Sequence, residues 1–106
     1  MPPFDPGLLD TAIHGPMRLG VVTALFVDGP LDFTTLKKRL RVADGALGLH
    51  LQKLEAAAYV DCSRAFIGRR PRSTYRLTPK GRKAFAAYLD QMQALLDTAR
   101  GLDDPC

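Results

Sequence analysis

The sequence has 106 residues, of which 46% are hydrophobic, and a formal net charge of +4. A chain of this size predicts one domain over residues 1–106, with residues 1–7 and 101–106 frayed at its ends. No apolar run approaches the roughly 20 residues that cross a bilayer, and the first ten residues lack the features of a secretory signal. We therefore expect a cytoplasmic protein that does not act at a membrane.

The chain offers little that could support catalysis or metal binding. Its two cysteines, Cys62 and Cys106, form no C-x-x-C pair, and His14 and His50 fall on different predicted elements. There is no phosphate-binding glycine loop and no G-x-S-x-G motif. We expect no metal, no cofactor and no enzymatic activity.

Residues 8–28 have apolar residues at helical spacing on either side of His14-Gly15-Pro16. This pattern predicts two helices or one broken helix. Pro16 suits the first turn of the second helix, where a missing N–H costs nothing, and Gly29-Pro30 ends that helix near Asp28.

A helix-turn-helix is predicted next. In the run DFTTLKKRL, Asp32 or Thr34 can cap a short helix that presents Lys37 and Lys38 outward. After a connector of residues 41–43, the stripe Leu47, Leu51 and Leu54 predicts a helix over residues 44–57. Two short helices joined by a turn of this length are typical of the motif, and the second would be the recognition helix.

Two strands follow, in YVDCSRAF and STYRL, where apolar residues partly alternate. Between them, Gly68 and Pro71 are predicted turn residues of a loop over residues 67–73. The segment 64–83 holds eight of the fifteen basic residues and no acid. Such a patch attracts polyanions, of which nucleic acid is the first candidate and anionic membrane the second.

The last predicted element is a long helix over residues 79–100, with Thr78 as N-cap and Pro79 in its first turn. One face of this helix is apolar from Phe85 to Ala99. Its later turns extend beyond the reach of a small core, so a second copy of the chain is expected to cover them.

Two segments carry a resemblance to a known family: LGLHLQKLEAAAYVD, residues 47–61, and FIGRRPRSTYRLTPKGRKAF, residues 66–85. They resemble the recognition helix, wing and following helix of short winged-helix transcriptional regulators related to the MarR and ArsR groups. The resemblance implies an α+β, mainly helical fold: a winged helix-turn-helix with a two-stranded β wing and a long C-terminal helix. It also implies a homodimer that binds double-stranded operator DNA and acts as a repressor.

The DNA-binding residues that this resemblance implies lie on the helix-turn-helix and the wing. They are Lys37, Lys38, Asp44, Gly45, Ala46, Gly48, Leu49, Gln52, Lys53, Arg69, Arg70, Arg72 and Thr74. The chain departs from the family pattern where Ala46, Gly48 and Leu49 replace polar groups on the recognition helix. Because polar groups distinguish base pairs, we expect specificity to depend on DNA shape and on the wing arginines.

The dimer contacts that the resemblance implies come from the terminal helices: Leu8, Leu9, Ile13, Tyr88, Met92, Leu95, Leu96 and Ala99. Two alternatives stay open. Ala46, Leu49 and the apolar late helix could contact a protein partner in a winged-helix interaction module, and single-stranded nucleic acid could stack on Phe66 and Tyr75, which we expect to pack inward. An unknown small-molecule effector is left open as well.

Overall fold

A computed structural model describes residue 7 and residues 9–101 of the chain. Its elements are, in order, α1 (Pro16–Asp28), β1 (Leu31–Asp32), α2 (Phe33–Leu40), α3 (Asp44–Ala56), β2 (Val60–Ile67), β3 (Arg70–Leu77) and α4 (Pro79–Ala99). Four helices and one small antiparallel sheet confirm the predicted α+β class. The predictions for Leu8, Cys106 and most of both terminal segments lie outside the described residues.

The helix α1 begins at Pro16, as predicted, and ends before Gly29, whose φ of 80° is in the left-handed region. Before Pro16 the chain forms a turn and no regular helix over residues 11–13. The Asp10 carboxylate accepts a hydrogen bond from the Ala12 N–H at 2.8 Å and so stabilises this turn. The prediction of a helix here was wrong, because the spacing of apolar residues does not distinguish a single packed turn from a helix.

The predicted helix-turn-helix is formed by α2 and α3. Asp32 caps α2 by accepting a hydrogen bond from the Thr35 N–H at 2.8 Å. The apolar stripe of α3, Leu47, Leu51 and Leu54, is buried as expected. Past the end of α3, Ala58 has a φ of 62°, a left-handed conformation that glycine adopts more readily than alanine.

The sheet has three strands in the order β1-β3-β2, all antiparallel. The pairing of β2 with β3 runs from Val60 opposite Leu77 to Ile67 opposite Arg70, so the turn between them is only Gly68-Arg69. Gly68 supplies the positive φ, 65°, that such tight hairpin turns require. Pro71 lies within β3, and its prediction as a turn residue was wrong. The strand β1 was not predicted, since two residues show no periodicity.

The two ends of the hairpin meet at the start of α4. The Thr78 N–H donates to the Tyr59 carbonyl at 2.9 Å, and the Thr78 hydroxyl donates to the Ala58 carbonyl at 2.7 Å. The same hydroxyl accepts from the Gly81 N–H and caps α4, as predicted. A Cβ on Gly81 would lie 2.2 Å from the Tyr59 carbonyl oxygen, so only glycine allows this approach.

The core lies between α1, α3, the sheet and the first turns of α4. Its buried members include Val21, Leu25, Leu36, Leu47, Leu51, Leu54, Val60, Tyr75, Leu77, Phe85 and Tyr88. From Leu89 to Gly101 no residue is buried. In the described part of the chain, no helix is long and apolar enough to span a membrane.

Candidate nucleic-acid interface

The exposed face of α3 is poor in hydrogen-bonding side chains. Leu49 is 51% exposed, and the exposed residues of α3 are Asp44, Gly45, Ala46, Leu49, Gln52, Lys53 and Ala56. Gly48 is half-buried. Apart from Asp44, whose carboxylate pairs with Lys37, only Gln52 and Lys53 among these residues carry donors or acceptors that can distinguish base edges.

Acids pair with part of the basic charge of the helix-turn-helix. The Lys37 ammonium lies 2.7 Å from the Asp44 carboxylate, which joins α2 to the first residue of α3. Arg39 pairs with Asp28 at the end of α1. Lys38 is exposed and has no ion pair with a described residue.

Strand alternation separates the arginines of β3 from its core residues. Because successive side chains point to opposite faces, Arg70, Arg72 and Arg76 share one face. Tyr75 and Leu77, which are buried, share the other. The outer face of β3 is therefore a row of guanidinium groups that runs towards the hairpin turn.

The Asp32 carboxylate holds the middle arginine of this row. One oxygen of Asp32 accepts hydrogen bonds from Nε and a terminal nitrogen of Arg72, at 3.0 and 2.8 Å, while the other oxygen caps α2. The hydrogen bonds from Thr35 and Arg72 lower the pKa of Asp32 to about 2. Arg72, predicted to lie in the loop over residues 67–73, instead lies in β3 and pairs with an acid of β1.

Arg69 and Arg70 have no ion pair with any residue that the structure describes. Arg76, by contrast, lies 3.8 Å from the Asp61 carboxylate on the neighbouring strand. Arg64, on the opposite face of the hairpin, is a further exposed cation that pairs with no acid among the described residues. The sequence prediction omitted Arg64, because the alternation of β2 places it on the same face as the buried Val60 and does not show that the core ends before it.

Two other side chains of the hairpin differ from expectation. Thr74, predicted to bind DNA, is half-buried in the middle strand between Asp32 and Ser63. Phe66, expected to pack inward, is 75% exposed, whereas Tyr75 is buried as expected. The hairpin projects beyond the core. Residues near its turn, such as Phe66, therefore have no core residues to pack against, even on the face that is turned towards the core.

Burial divides the residues predicted for dimer contacts into two groups. Ile13 and Tyr88 are buried within one copy of the chain, and the Tyr88 hydroxyl lies 3.0 Å from Nδ1 of His14. Leu9 and Met92 pack partly on the same core. Leu95 is half-buried, and Leu96 and Ala99 are exposed. Leu89, 45% exposed, extends the available surface along α4.

A cleft with a volume of about 450 Å³ separates the N-terminal turn from α4. Its lining includes Asp10, Tyr59, Lys80, Lys83 and Tyr88. The Tyr59 hydroxyl donates a hydrogen bond to Asp10, which together with burial raises the pKa of Tyr59 to about 12. The Lys80 ammonium lies 5.6 Å from the centre of the Tyr59 ring.

A helix-turn-helix followed by a basic β-hairpin wing and a long helix defines a winged-helix DNA-binding domain. The chain belongs to the winged helix DNA-binding domain family, whose model matches residues 17–96.

Individual relatives agree with this assignment. An uncharacterized protein of Methanocaldococcus jannaschii is 32% identical over 79 residues, which make up 74% of this chain and 86% of the relative. The structure of a transcriptional regulator homologue from Pyrococcus horikoshii has a TM-score of 0.76 and 28% identity, covering 87% of this chain and 88% of that one. These matches confirm the predicted class of winged-helix DNA-binding regulator.

BpsR of Bordetella bronchiseptica, whose DNA binding is regulated by 6-hydroxynicotinic acid, has the same fold. Its TM-score is 0.66 at 16% identity, covering 95% of this chain and 74% of BpsR. At this identity the likeness extends to the fold alone.

The pairing of Asp32 with Arg72 predicts that the free energy of unfolding depends on pH. The variant Asp32→Asn tests this dependence. In Asp32→Asn the amide oxygen can still cap α2, but the negative charge is lost. Because the folded pKa, about 2, is below the ordinary 3.8, the charge stabilises the fold above about pH 4 and its contribution is lost as the pH falls towards 2. We expect Asp32→Asn to lower the free energy of unfolding by about 1–2 kcal/mol at pH 7.

Urea unfolding from pH 7 to pH 3 measures this difference, which should begin to shrink below about pH 4. Asp61→Asn is the matched control, because Asp61 and Arg76 are both more than half exposed at 3.8 Å and such pairs contribute little. If the free energy of unfolding of Asp32→Asn differs from that of the wild type by the same amount at every pH, the stabilising role of the Asp32 charge is contradicted.

Proposed function

We propose that this chain is a homodimeric transcriptional regulator that binds double-stranded DNA and represses transcription by occupying its operator. In this proposal α3 enters a major groove, and the wing, residues 60–77, lies along the phosphates or in a minor groove. The observation that carries the proposal is the pair of exposed arginines, Arg69 and Arg70, at the wing turn without any acid partner in the described chain.

Arg69 in the turn and Arg70 at the start of β3 are adjacent like charges that repel each other, and this repulsion is relieved when an anion binds. On the outer face of the wing, Arg72 and Arg76 already pair with Asp32 and Asp61. The charge available for DNA is therefore concentrated at the turn. Phosphate contacts there release counterions and make binding strongly dependent on salt.

The dimer is proposed from the apolar face of α4. Phe85, Leu89, Met92 and Leu96 follow one another at helical spacing, so the face that packs on the core continues into the solvent-exposed half of the helix. A second copy related by a two-fold axis would cover this face and would place two copies of α3 on successive turns of the duplex.

A protein-interaction module is the alternative function. Leu49, half-exposed at the centre of the outer face of α3, favours it, because an apolar side chain there suits a protein surface better than base edges. Replacing Leu49 with serine separates the two functions. DNA affinity should stay nearly unchanged under our proposal, whereas an interaction module would lose its protein partner.

The cleft beside α4 is our candidate site for a small anionic effector. Lys80 and Lys83 supply positive charge, and Tyr59 and Tyr88 supply aromatic walls. By analogy with BpsR, we expect aromatic acids such as 6-hydroxynicotinic acid to raise the Tm of the protein, and Lys83→Ala to reduce the shift. The absence of any shift across a series of hydroxylated aromatic acids would contradict this site.

A cytoplasmic location is part of the proposal, since the proposed partner, operator DNA, is inside the cell. The family is a DNA-binding family and not an enzyme family, and we propose no catalytic role.

Replacing Arg69 and Arg70 together with alanine should weaken binding to duplex DNA and make it less sensitive to salt. If each arginine neutralises one phosphate, the slope of log affinity against log salt should become less steep by about 2 per protomer. Fluorescence anisotropy with a labelled duplex at several salt concentrations measures this change. Arg100→Ala, which removes a charge just after α4, is the control and should leave the slope unchanged. An unchanged slope in the double variant would refute the role of the wing turn.

Placing aspartate at both Leu89 and Leu96 should convert a dimer to a monomer, because two charges would be buried at the proposed two-fold contact. Light scattering measures the mass. Both residues are more than 40% exposed in one copy, so the variant should keep its fold and its far-UV circular dichroism. Val27→Asp places the same charge on an exposed residue of α1 and should leave the mass of the dimer unchanged. A wild-type protein that is already monomeric would exclude the dimer.

A further inference from the structure

The wing tip, residues 66–71, exposes two large apolar side chains among its arginines. Phe66 is 75% exposed and Ile67 is 57% exposed, and neither belongs to the core or packs on it. Leaving such side chains in water forgoes the stabilisation that burial would give. A surface of this kind on a soluble protein commonly marks an interaction site.

The register of the hairpin places these groups on both sides of the tip. Phe66 is opposite Pro71, and paired residues in an antiparallel ladder project to the same face. Ile67 is opposite Arg70 on the other face. In an antiparallel ladder, hydrogen-bonded pairs alternate with pairs that are not hydrogen-bonded. The pair next to the turn, Ile67 and Arg70, is of the first kind, and the pair of Phe66 and Pro71 is of the second. Pro71, which has no N–H, therefore removes no hydrogen bond from the ladder. The tip is thus a narrow, stiff hairpin with apolar groups on each face.

The positive charge around the wing tip indicates which kind of molecule binds there. Arg64 and Arg69 are exposed and unpaired in the described chain, Arg70 adds a third free cation, and the sequence contains no acid between Asp61 and Asp90. A second copy of this wing would be repelled by that charge, and an anion is favoured. An anionic membrane also places phosphates over an apolar interior, but the chain belongs to a DNA-binding family, which favours duplex DNA, whose stacked base pairs an apolar side chain can enter.

We propose that the wing tip is an apolar wedge: Phe66, with Pro71 beside it on the same face, enters the minor groove and partly unstacks one base step while the arginines hold the flanking phosphates. This inference rests on the proposed DNA-binding function and adds a mode of contact to it. Flexible pyrimidine–purine steps such as TA would be opened most easily, so the wedge would supply sequence preference without hydrogen bonds to bases.

The wedge and the arginines should have different thermodynamic signatures. Phe66→Ala removes apolar burial and no charge, so it should weaken duplex binding about tenfold while the salt slope stays that of the wild type. Phe66→Leu should restore part of the affinity. Because Phe66 is exposed, both variants should keep the wild-type Tm, and Val27→Ala, on an equally exposed residue of α1, should alter neither affinity nor slope.

Unstacking can be observed directly with duplexes that carry 2-aminopurine at a TA step, since its fluorescence rises when stacking is lost. Saturating wild-type protein should raise this fluorescence, and Phe66→Ala should abolish the rise at equal saturation. Duplexes that bind without any rise, together with wild-type affinity in Phe66→Ala, would overturn the wedge and leave the proposed function intact. A wild-type protein that binds no duplex would instead refute the proposed function.

Light scattering on Phe66→Ala tests whether Phe66 instead contacts a second copy of the chain. A mass equal to that of the wild type is expected. A lower mass would show that Phe66 covers a second copy of the chain and would overturn the wedge.

Discussion

The positions of the wing and of α4 depend on one backbone contact, between Tyr59 and the Thr78–Gly81 turn. The Tyr59 carbonyl accepts the Thr78 N–H, and the Thr78 hydroxyl bonds the neighbouring Ala58 carbonyl while it caps α4. The end of α3, both ends of the hairpin and the start of α4 are thereby fixed at a single point. The close approach is possible only because Gly81 has no Cβ, and because Ala58 accepts a left-handed conformation that is unfavourable for alanine.

Asp32 provides the second fixed point of the wing and determines where the free charge lies. Its carboxylate caps α2 and holds Arg72, so the helix-turn-helix and the middle strand share one acid. Arg76 is similarly opposed by Asp61. In the row of arginines on β3, only Arg70 has no acid partner in the described chain. Arg69, in the turn, adds a second unpaired positive charge next to it. Part of the basic patch is therefore paired with acids of the same fold, whereas the arginines at the turn have no acid partner in the described chain.

The elements that the sequence predicted well are those with a local physical cause. Pro16, Thr78 and Pro79 determine helix starts through their own chemistry, and the stripe Leu47–Leu51–Leu54 identifies α3. Features that depend on distant contacts could not be predicted. The partner of Arg72 lies forty residues away, β1 exists only because β3 lies beside it, and the exposure of Phe66 follows from how far the hairpin projects beyond the core. A local pattern of alternation cannot show where the core ends.

The composition of α3 and that of the wing tip are best understood together. A recognition helix with Ala46 and Leu49 on its outer face has few ways to discriminate bases by hydrogen bonding. Under the proposed function, phosphate contacts by Arg69 and Arg70 would add affinity and no sequence information. Under the proposed function, discrimination must then come from how easily a DNA sequence deforms. A stiff hairpin with an exposed aromatic ring at its end is suited to that task, because it couples binding to the cost of opening a base step.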